Sequence, residues 1–471
     1  MQKYIYNIKK SLFVLAVILA FTSCNQQKET QKAALWTTTL DEKSLLEKSE
    51  IEINKAGESE AVATIIVDTS EIYQEIDGFG YTLTGGSALH INKMSDPARK
   101  ALLQELFGSG ENDLGVSYLR LSIGASDLDD APFSYNDLAK GETDENLEKF
   151  SLANDTINLI PVLKEILKIY PDIKILGSPW SPPVWMKDNN SSIGGSLKKE
   201  YYPVYANYFV KYINAMKNEG ITIDAITVQN EPLHPGNNPS LLMLAEDQKE
   251  FIKDHLGPVF EKNGISIKII LYDHNADRPD YPISILDDPE AAKYIDGSAF
   301  HLYGGEIDAL SQVHDAHPDK NIYFTEQWVG APGDFSKEMA WHTENLIIGA
   351  TRNWSRNVLE WNLAADENQE PFTDGGCDRC LGAITITGDK VIRNPAYYII
   401  GQATKFVRPG SVRIASNEQE NLPNVAFKTP EGKIVLILQN KSEESKTIKV
   451  KAGEKEVNLS LEAGAIGTLK F

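Results

Sequence analysis

Cysteine is scarce in this chain, with three in 471 residues. A disulfide scaffold is thereby excluded, and stability has to come from a packed core. The CxxC pair Cys377 and Cys380 has no second Cys or His pair at ligand spacing. Half a zinc site, a small loop disulfide and two free thiols are the readings that remain. Positive charge is also short, since 46 Lys and Arg against 67 Asp and Glu leave a formal net charge of −21. A surface that acidic repels phosphate backbones and anionic lipid, which argues against nucleic acid and leaves neutral or cationic partners. The apolar run at 12–21 has 10 residues, too few to cross a hydrocarbon core about 30 Å thick as a helix.

That short run has another use. Lys3, Lys9 and Lys10 precede it and Thr22-Ser23-Cys24 follow it, the arrangement of an export signal. Small residues directly before Cys24 resemble a bacterial lipoprotein signal, in which that cysteine becomes the lipidated first residue. An ordinary secretory peptide cleaved nearby is the alternative. Either implies export, and the lipid reading places the protein at the cell envelope with membrane attachment only through the N-terminal lipid. Losing residues 1–23 removes three lysines and no acids, moving the formal charge from −21 to −24.

Against these shortages, 42% hydrophobic residues in a chain of this length are enough for one large domain and a small accessory one. Residues 24–45 are mostly polar and read as a linker, and 46–75 as short strands. Between 76 and 406, apolar runs at 76–84, 115–124, 173–180, 225–232, 267–275, 297–304, 321–328 and 357–365 read as buried strands. Helical patterns separate several of them. Ser95, Pro97 and Gly108 bracket one such helix, and Tyr205, Tyr208, Phe209 and Tyr212 give another its core stripe. Eight strands are the number a closed (β/α)8 barrel requires. From 407 to 471 closely spaced strands without helices suggest a side β-sandwich, which the early strands would complete.

Glu231 and Glu326 close the fourth and seventh runs. A carboxylate at the end of a buried strand must be paired, shifted in pKa or set to work on a ligand. In a barrel, two on different strands converge on one mouth. Paired carboxylates of this kind suit glycoside hydrolysis, one as proton donor and one as nucleophile.

The surrounding motifs sharpen this. Asn230-Glu231-Pro232, Thr325-Glu326, Gly78-Phe79-Gly80, the segment 120–127, the segment 176–187 around Trp180-Ser181-Pro182-Pro183, His301-Leu302-Tyr303 and Glu360-Trp361-Asn362-Leu363 resemble, in order, glycoside hydrolase family 30. The similarity is greatest to the branch of glucosylceramidases and endo-β-1,6-glucanases. The resemblance implies a TIM barrel with a side β-sandwich and a retaining, double-displacement mechanism on a β-glucan or other β-glucoside, with no cofactor or metal, and the leading reading is an endo-β-1,6-glucanase acting on β-1,6-glucan. It implies Glu231 as acid/base and Glu326 as nucleophile. Arg120 would lie beside the carboxylates, Asn230, Asp127 and Trp180 would contact sugar hydroxyls, His301 and Tyr303 would border the nucleophile, and Trp361 would pack on the ring. Each has a plainer alternative: core aromatics for the tryptophans, a structural ion pair for Arg120, a satisfied core histidine for His301. Asp273 and His274, at the end of the fifth run, rank below the others. The CxxC segment departs from the glucosylceramidase pattern where it would border the pocket. A glucosylceramidase or broad β-glucosidase, or an inactive glycan-binding lipoprotein, are the competing readings.

Overall fold

The computed structural model describes residues 32–55 and 63–471. Cys24 and the export signal lie outside them. The N-terminal strands are β1 (Lys32–Thr38), β2 (Glu47–Lys55) and β3 (Ala63–Glu75). The barrel follows with β4 (Gly78–Thr82), β5 (Tyr118–Ser122), β6 (Lys174–Ser178), β7 (Ala225–Thr227), β8 (Lys268–Ala276), β9 (Ile295–Gly305) and β10 (Asn321–Glu326), a short β11 (Val329–Gly330), and β12 (Ser355–Asn362). Every neighbouring pair among the eight barrel strands is parallel, and the ladder closes where β12 pairs with both β10 and β4. Parallel strands covered on both sides need apolar residues at nearly every position, which is why these runs stand out in the sequence.

Side chains alternate along a strand, so the barrel interior can be read in layers two residues apart. The lower layer is apolar and closed by Tyr118, Leu176, Ala225, Ile270, Ala299, Tyr323 and Leu359, one from each of seven strands. Two residues on come Arg120, Ser178, Thr227, His301, Thr325 and Trp361, and the chemistry begins there. On β8 the count differs. A register shift between Tyr272 and His274, with Tyr272 and Asp273 at φ 73° and 60°, is a bulge that brings Asp273 inward in place of Tyr272.

Helices pack around the barrel. The one at Asp96–Phe107 ends at Gly108, and that at Tyr202–Asn218 buries Tyr205, Tyr208, Phe209 and Tyr212. The tyrosine stripe is core, with Tyr135 stacked on Tyr208 and Tyr212 at 6.0 and 5.8 Å between ring centroids. No helix among the described residues is long and apolar enough to cross a membrane.

Beyond the barrel lie β13 (Ala364–Ala365), β14 (Cys380–Leu381), β15 (Ile384–Thr387) and β16 (Lys390–Arg393). The side domain follows with β17 (Val412–Ser416), β18 (Asn424–Lys428), β19 (Ile434–Gln439), β20 (Lys446–Ala452), β21 (Lys455–Leu461) and β22 (Ile466–Lys470). The first three strands pair with these: β3 with β17 and β20, β2 with β21, β1 with β22. The described part of the stretch read as a linker is thus partly structured. Lys32–Thr38 is a strand that pairs with β2 and β22 and buries Ala33 and Leu35 in the side-domain core. The fourth barrel run is also shorter than its composition suggests: the strand stops at Thr227, and Glu231 sits in the turn beyond it.

Candidate active site

Arg120 is the centre of the polar layer. Its side chain is wholly buried and meets four partners: Nη1 donates to Glu326 Oε2 at 2.6 Å, Nη2 to Asp273 Oδ2 at 2.8 Å and Asn230 Oδ1 at 2.7 Å, and Nε to Ser178 Oγ at 3.1 Å. Its planar fork suits this divided duty in a way a lysine's point charge does not. Asp273 is equally buried. It accepts from Thr325 Oγ1 at 2.6 Å and Thr227 Oγ1 at 2.7 Å, and lies 3.1 Å from His301 Nε2. Burial alone would raise its pKa, but Arg120, His301 and Thr325 hold it far below the ordinary carboxylate range. Asp273 carries only a weak signal in the sequence, because its counter-charge lies 153 residues away on another strand.

The two glutamates face each other above this layer. Glu326 accepts from the Tyr303 hydroxyl at 3.0 Å. Glu231 Oε1 is 3.2 Å from His301 Nδ1, which is itself 3.7 Å from Glu326 Oε1. Ligand atoms of Glu231, His301 and Glu326 all lie within 4.8 Å of one another. Glu231 reaches this position with φ 45°, and its N–H donates to the Asp273 carbonyl at 2.9 Å. A non-glycine residue is uncommon in that region, and the tertiary hydrogen bond helps hold it there.

Burial opposes charge on both glutamates. For Glu231 it is outweighed by His274 at 3.7 Å and His301 at 3.2 Å, which draw its pKa down. For Glu326, burial with Glu231 and Asp273 raises the pKa, and His301 and Arg120 limit the rise. His301 feels the opposite balance: burial favours the neutral ring, but Glu326, Asp273 and Glu231 push it up to about 9. At neutral pH the hydrogen bond between Glu231 and His301 therefore holds a proton. The same three residues have the spacing of a metal site, yet a cation there would have to displace that proton beside the permanent charge of Arg120.

A cavity of about 360 Å³ opens over the pair. Asn230, Tyr303, Asp127, Trp180 and Trp361 all line it with the glutamates. The two indoles are 5.3 Å apart, and the Arg120 guanidinium lies 4.8 Å from Trp180 and 5.8 Å from Trp361. They are thus both core aromatics and cavity wall. His234, Asn237, Asn275 and Trp328 join the lining; His234 and Asn237 lie in a loop with no period to mark them, and Asn275 and Trp328 sit at the last positions of apolar runs whose composition does not show which way they face. Asp127 is the most informative wall residue. Its Oδ1 is buried and has no hydrogen-bond partner among the described residues, a vacancy that a ligand hydroxyl would fill. Burial and the neighbouring Glu326 push its pKa up to about 7.

A hydroxyl donated to Asp127 favours its charged form, so ligand affinity should fall as pH drops through about 7. We expect Asp127→Asn to weaken sugar binding about 10- to 100-fold, the worth of a hydrogen bond to a charged group, and to flatten this dependence. Calorimetry with glucose or an iminosugar at pH 5.5 and 8 checks both; a pH-independent wild type would remove Asp127 from the binding site.

Residues 76–407 match the Glycosyl hydrolase family 30 TIM-barrel domain, and residues 410–469 the Glycosyl hydrolase family 30 beta sandwich domain. The chain is 33% identical over 404 residues to the Endo-1,6-beta-D-glucanase of Neurospora crassa, across 81% of this chain and 82% of that protein. With the Lysosomal acid glucosylceramidase of Mus musculus the identity is 30%, across 79% of this chain and 76% of that protein. A solved structure described as the endo-beta1,6-glucanase BT3312 superimposes with a TM-score of 0.87 at 36% identity, covering 93% of this chain and 99% of that one.

Proposed function

The chain belongs to glycoside hydrolase family 30, and from that premise we propose that it cuts β-1,6-linked glucan within the chain, with Glu326 as nucleophile and Glu231 as acid/base. It is a glycoside hydrolase of a family that retains anomeric configuration. The observation that supports the assignment is the spacing of the two glutamates, with ligand oxygens inside 4.8 Å. Retaining enzymes place their carboxyls about 5 to 5.5 Å apart, whereas inverting ones leave about 6.5 to 9.5 Å for a water.

Glu326 attacks the anomeric carbon while the leaving oxygen takes the proton held by Glu231 and His301, and the glycosidic bond breaks. As Glu326 becomes an ester it loses its charge, and with it the largest influence raising the pKa of His301. Proton release is thereby tied to bond formation. Glu231 then takes a proton from water, whose oxygen displaces Glu326 and restores the starting state. Arg120 and Tyr303 hold Glu326 on line, and Asn230, turned by Arg120, is placed for the 2-hydroxyl.

The substrate rests on the relatives. Proteins named as endo-1,6-β-glucanases align at 32–33% identity, and glucosylceramidases at 27–30%. The formal charge of −21 suits a neutral polymer better than an anionic bilayer, and a lipid anchor at Cys24 would hold the enzyme at the envelope where such polymer arrives. We expect kcat/KM on pustulan at least about tenfold above that on dispersed glucosylceramide, roughly 1.4 kcal/mol in transition-state binding. Comparable activity on the sphingolipid, with no products from pustulan, would reverse the choice.

A further inference from the structure

Cys377 and Cys380, left open between pairing and free thiols by the sequence, are joined in the structure. Two residues, Asp378 and Arg379, lie between them, and a disulfide that closes so short a ring restrains the unfolded chain less than one closing a long loop. Its effect is local, so its place in the molecule matters. Both cysteines line the cavity that holds Glu231 and Glu326. Cys380 is buried and packs in a cluster with Trp180 and Trp361, with Cys377 and Trp328 at its margin.

The loop carrying the disulfide is tied to three other loops of the barrel mouth. Thr373 N–H donates to the Asp127 carbonyl at 2.9 Å. Gly376 lies so close to that carbonyl that a Cβ would come within 2.6 Å of it. Asn238 Nδ2 donates to the Asp374 carbonyl at 2.8 Å, and Thr373 Oγ1 donates to the Asn238 carbonyl. On the far side β14 pairs with β11, directly after Glu326, setting Cys380 opposite Gly330, and Ala331 N–H donates to the Arg379 carbonyl at 2.8 Å. The segment 373–381 thus spans the mouth from the second barrel strand to the seventh. No bond joins it to Glu231, and its link to Glu326 is indirect.

We infer that the Cys377–Cys380 disulfide is a specificity-determining wall of the saccharide site, fixing the turn that holds Asp127 in register and packs on Trp361. The inference rests on the function proposed above and assigns to this loop the binding of the glucosyl unit, leaving bond cleavage to the glutamates. An oxidised wall gives a pocket of fixed width; a reduced one lets the turn swing and loosens the contacts to the sugar.

Inactivation by a 2-fluoro-β-glucoside with a good leaving group separates the two functions, since KI reads sugar binding and kinact reads attack by Glu326. We expect the double variant Cys377→Ser, Cys380→Ser to raise KI about tenfold with kinact within about twofold. Wild-type protein treated with dithiothreitol should show the same change, and reductant should not alter the double variant, because the described chain holds no other cysteine. The reductant arm also serves if the double variant fails to fold. An unchanged KI in the reduced wild type, or a fall confined to kinact, overturns the inference while leaving the function intact. Untreated wild type that is not inactivated at all brings down the function proposed above, and this inference with it.

Discussion

Replacing Glu326 by alanine is expected to lower kcat on any β-glucoside by about 10⁴-fold or more, the scale at which loss of a nucleophile is felt. The fold should survive the change. Arg120 keeps Asp273, Asn230 and Ser178 as partners, so no buried guanidinium is left without an anion, the situation that destabilises most. Thermal denaturation close to wild type would separate the chemical effect from a structural one. In the wild type, a 2-fluoro-β-glucoside should leave a glucosyl ester on the peptide that contains Glu326. The fluorine slows breakdown of the ester more than a good leaving group lets its formation slow. Label recovered only on other peptides, or release of α-configured product from a β-glucoside, would end the retaining assignment for this residue.

The sequence makes the barrel legible and leaves its interior half hidden. Strands of a parallel barrel are apolar at almost every position, so runs such as 173–180 and 321–328 announce themselves. β1 did not. Lys32–Thr38 follows a polar stretch, its buried side chains Ala33, Leu35 and Thr38 are small or few, and one of its edges is covered by β22, at the far end of the chain. The same limit applies to Asp273. Counting alternate positions along β8 points Tyr272 inward, and only the bulge reverses it. A bulge is a tertiary outcome with no local sequence mark here. Glu231 and Glu326 were readable because a charge at the end of an apolar run has few explanations. Asp273 has the same signature, but its bonds to Arg120, Thr227 and Thr325 appear only when four strands are brought together.

The layering also explains how motifs far apart in the sequence come together at one level of the barrel. Arg120, Ser178, Thr227, His301 and Thr325 each follow an apolar residue of the layer below by two positions. The barrel's register therefore fixes their heights together. The charges that result are mutually dependent, with one guanidinium among three carboxylates and an imidazole, and deleting any member changes the proton affinity of the rest.

Glu231→Ala tests that dependence, because an acid/base residue matters most when the leaving group needs a proton. Hydrolysis of pustulan should fall about 10³-fold or more, the upper part of the range for general acid and base catalysis. An aryl β-glucoside whose phenolate leaves unaided should still form the glucosyl ester rapidly, and the ester should then accumulate for want of a base to activate water. Azide needs no base, so adding it should restore turnover and yield β-glucosyl azide. The pH profile carries a second signature. His301 is pushed up to about 9 by the neighbouring carboxylates, so in the wild type the proton shared with Glu231 stays bound through neutral pH and is lost as pH climbs toward that value. The alkaline limb of kcat/KM on pustulan should lie there, and it should vanish in Glu231→Ala acting on the activated substrate. Equal losses on both substrates, with no response to azide and an unmoved alkaline limb, would make Glu231 a structural residue.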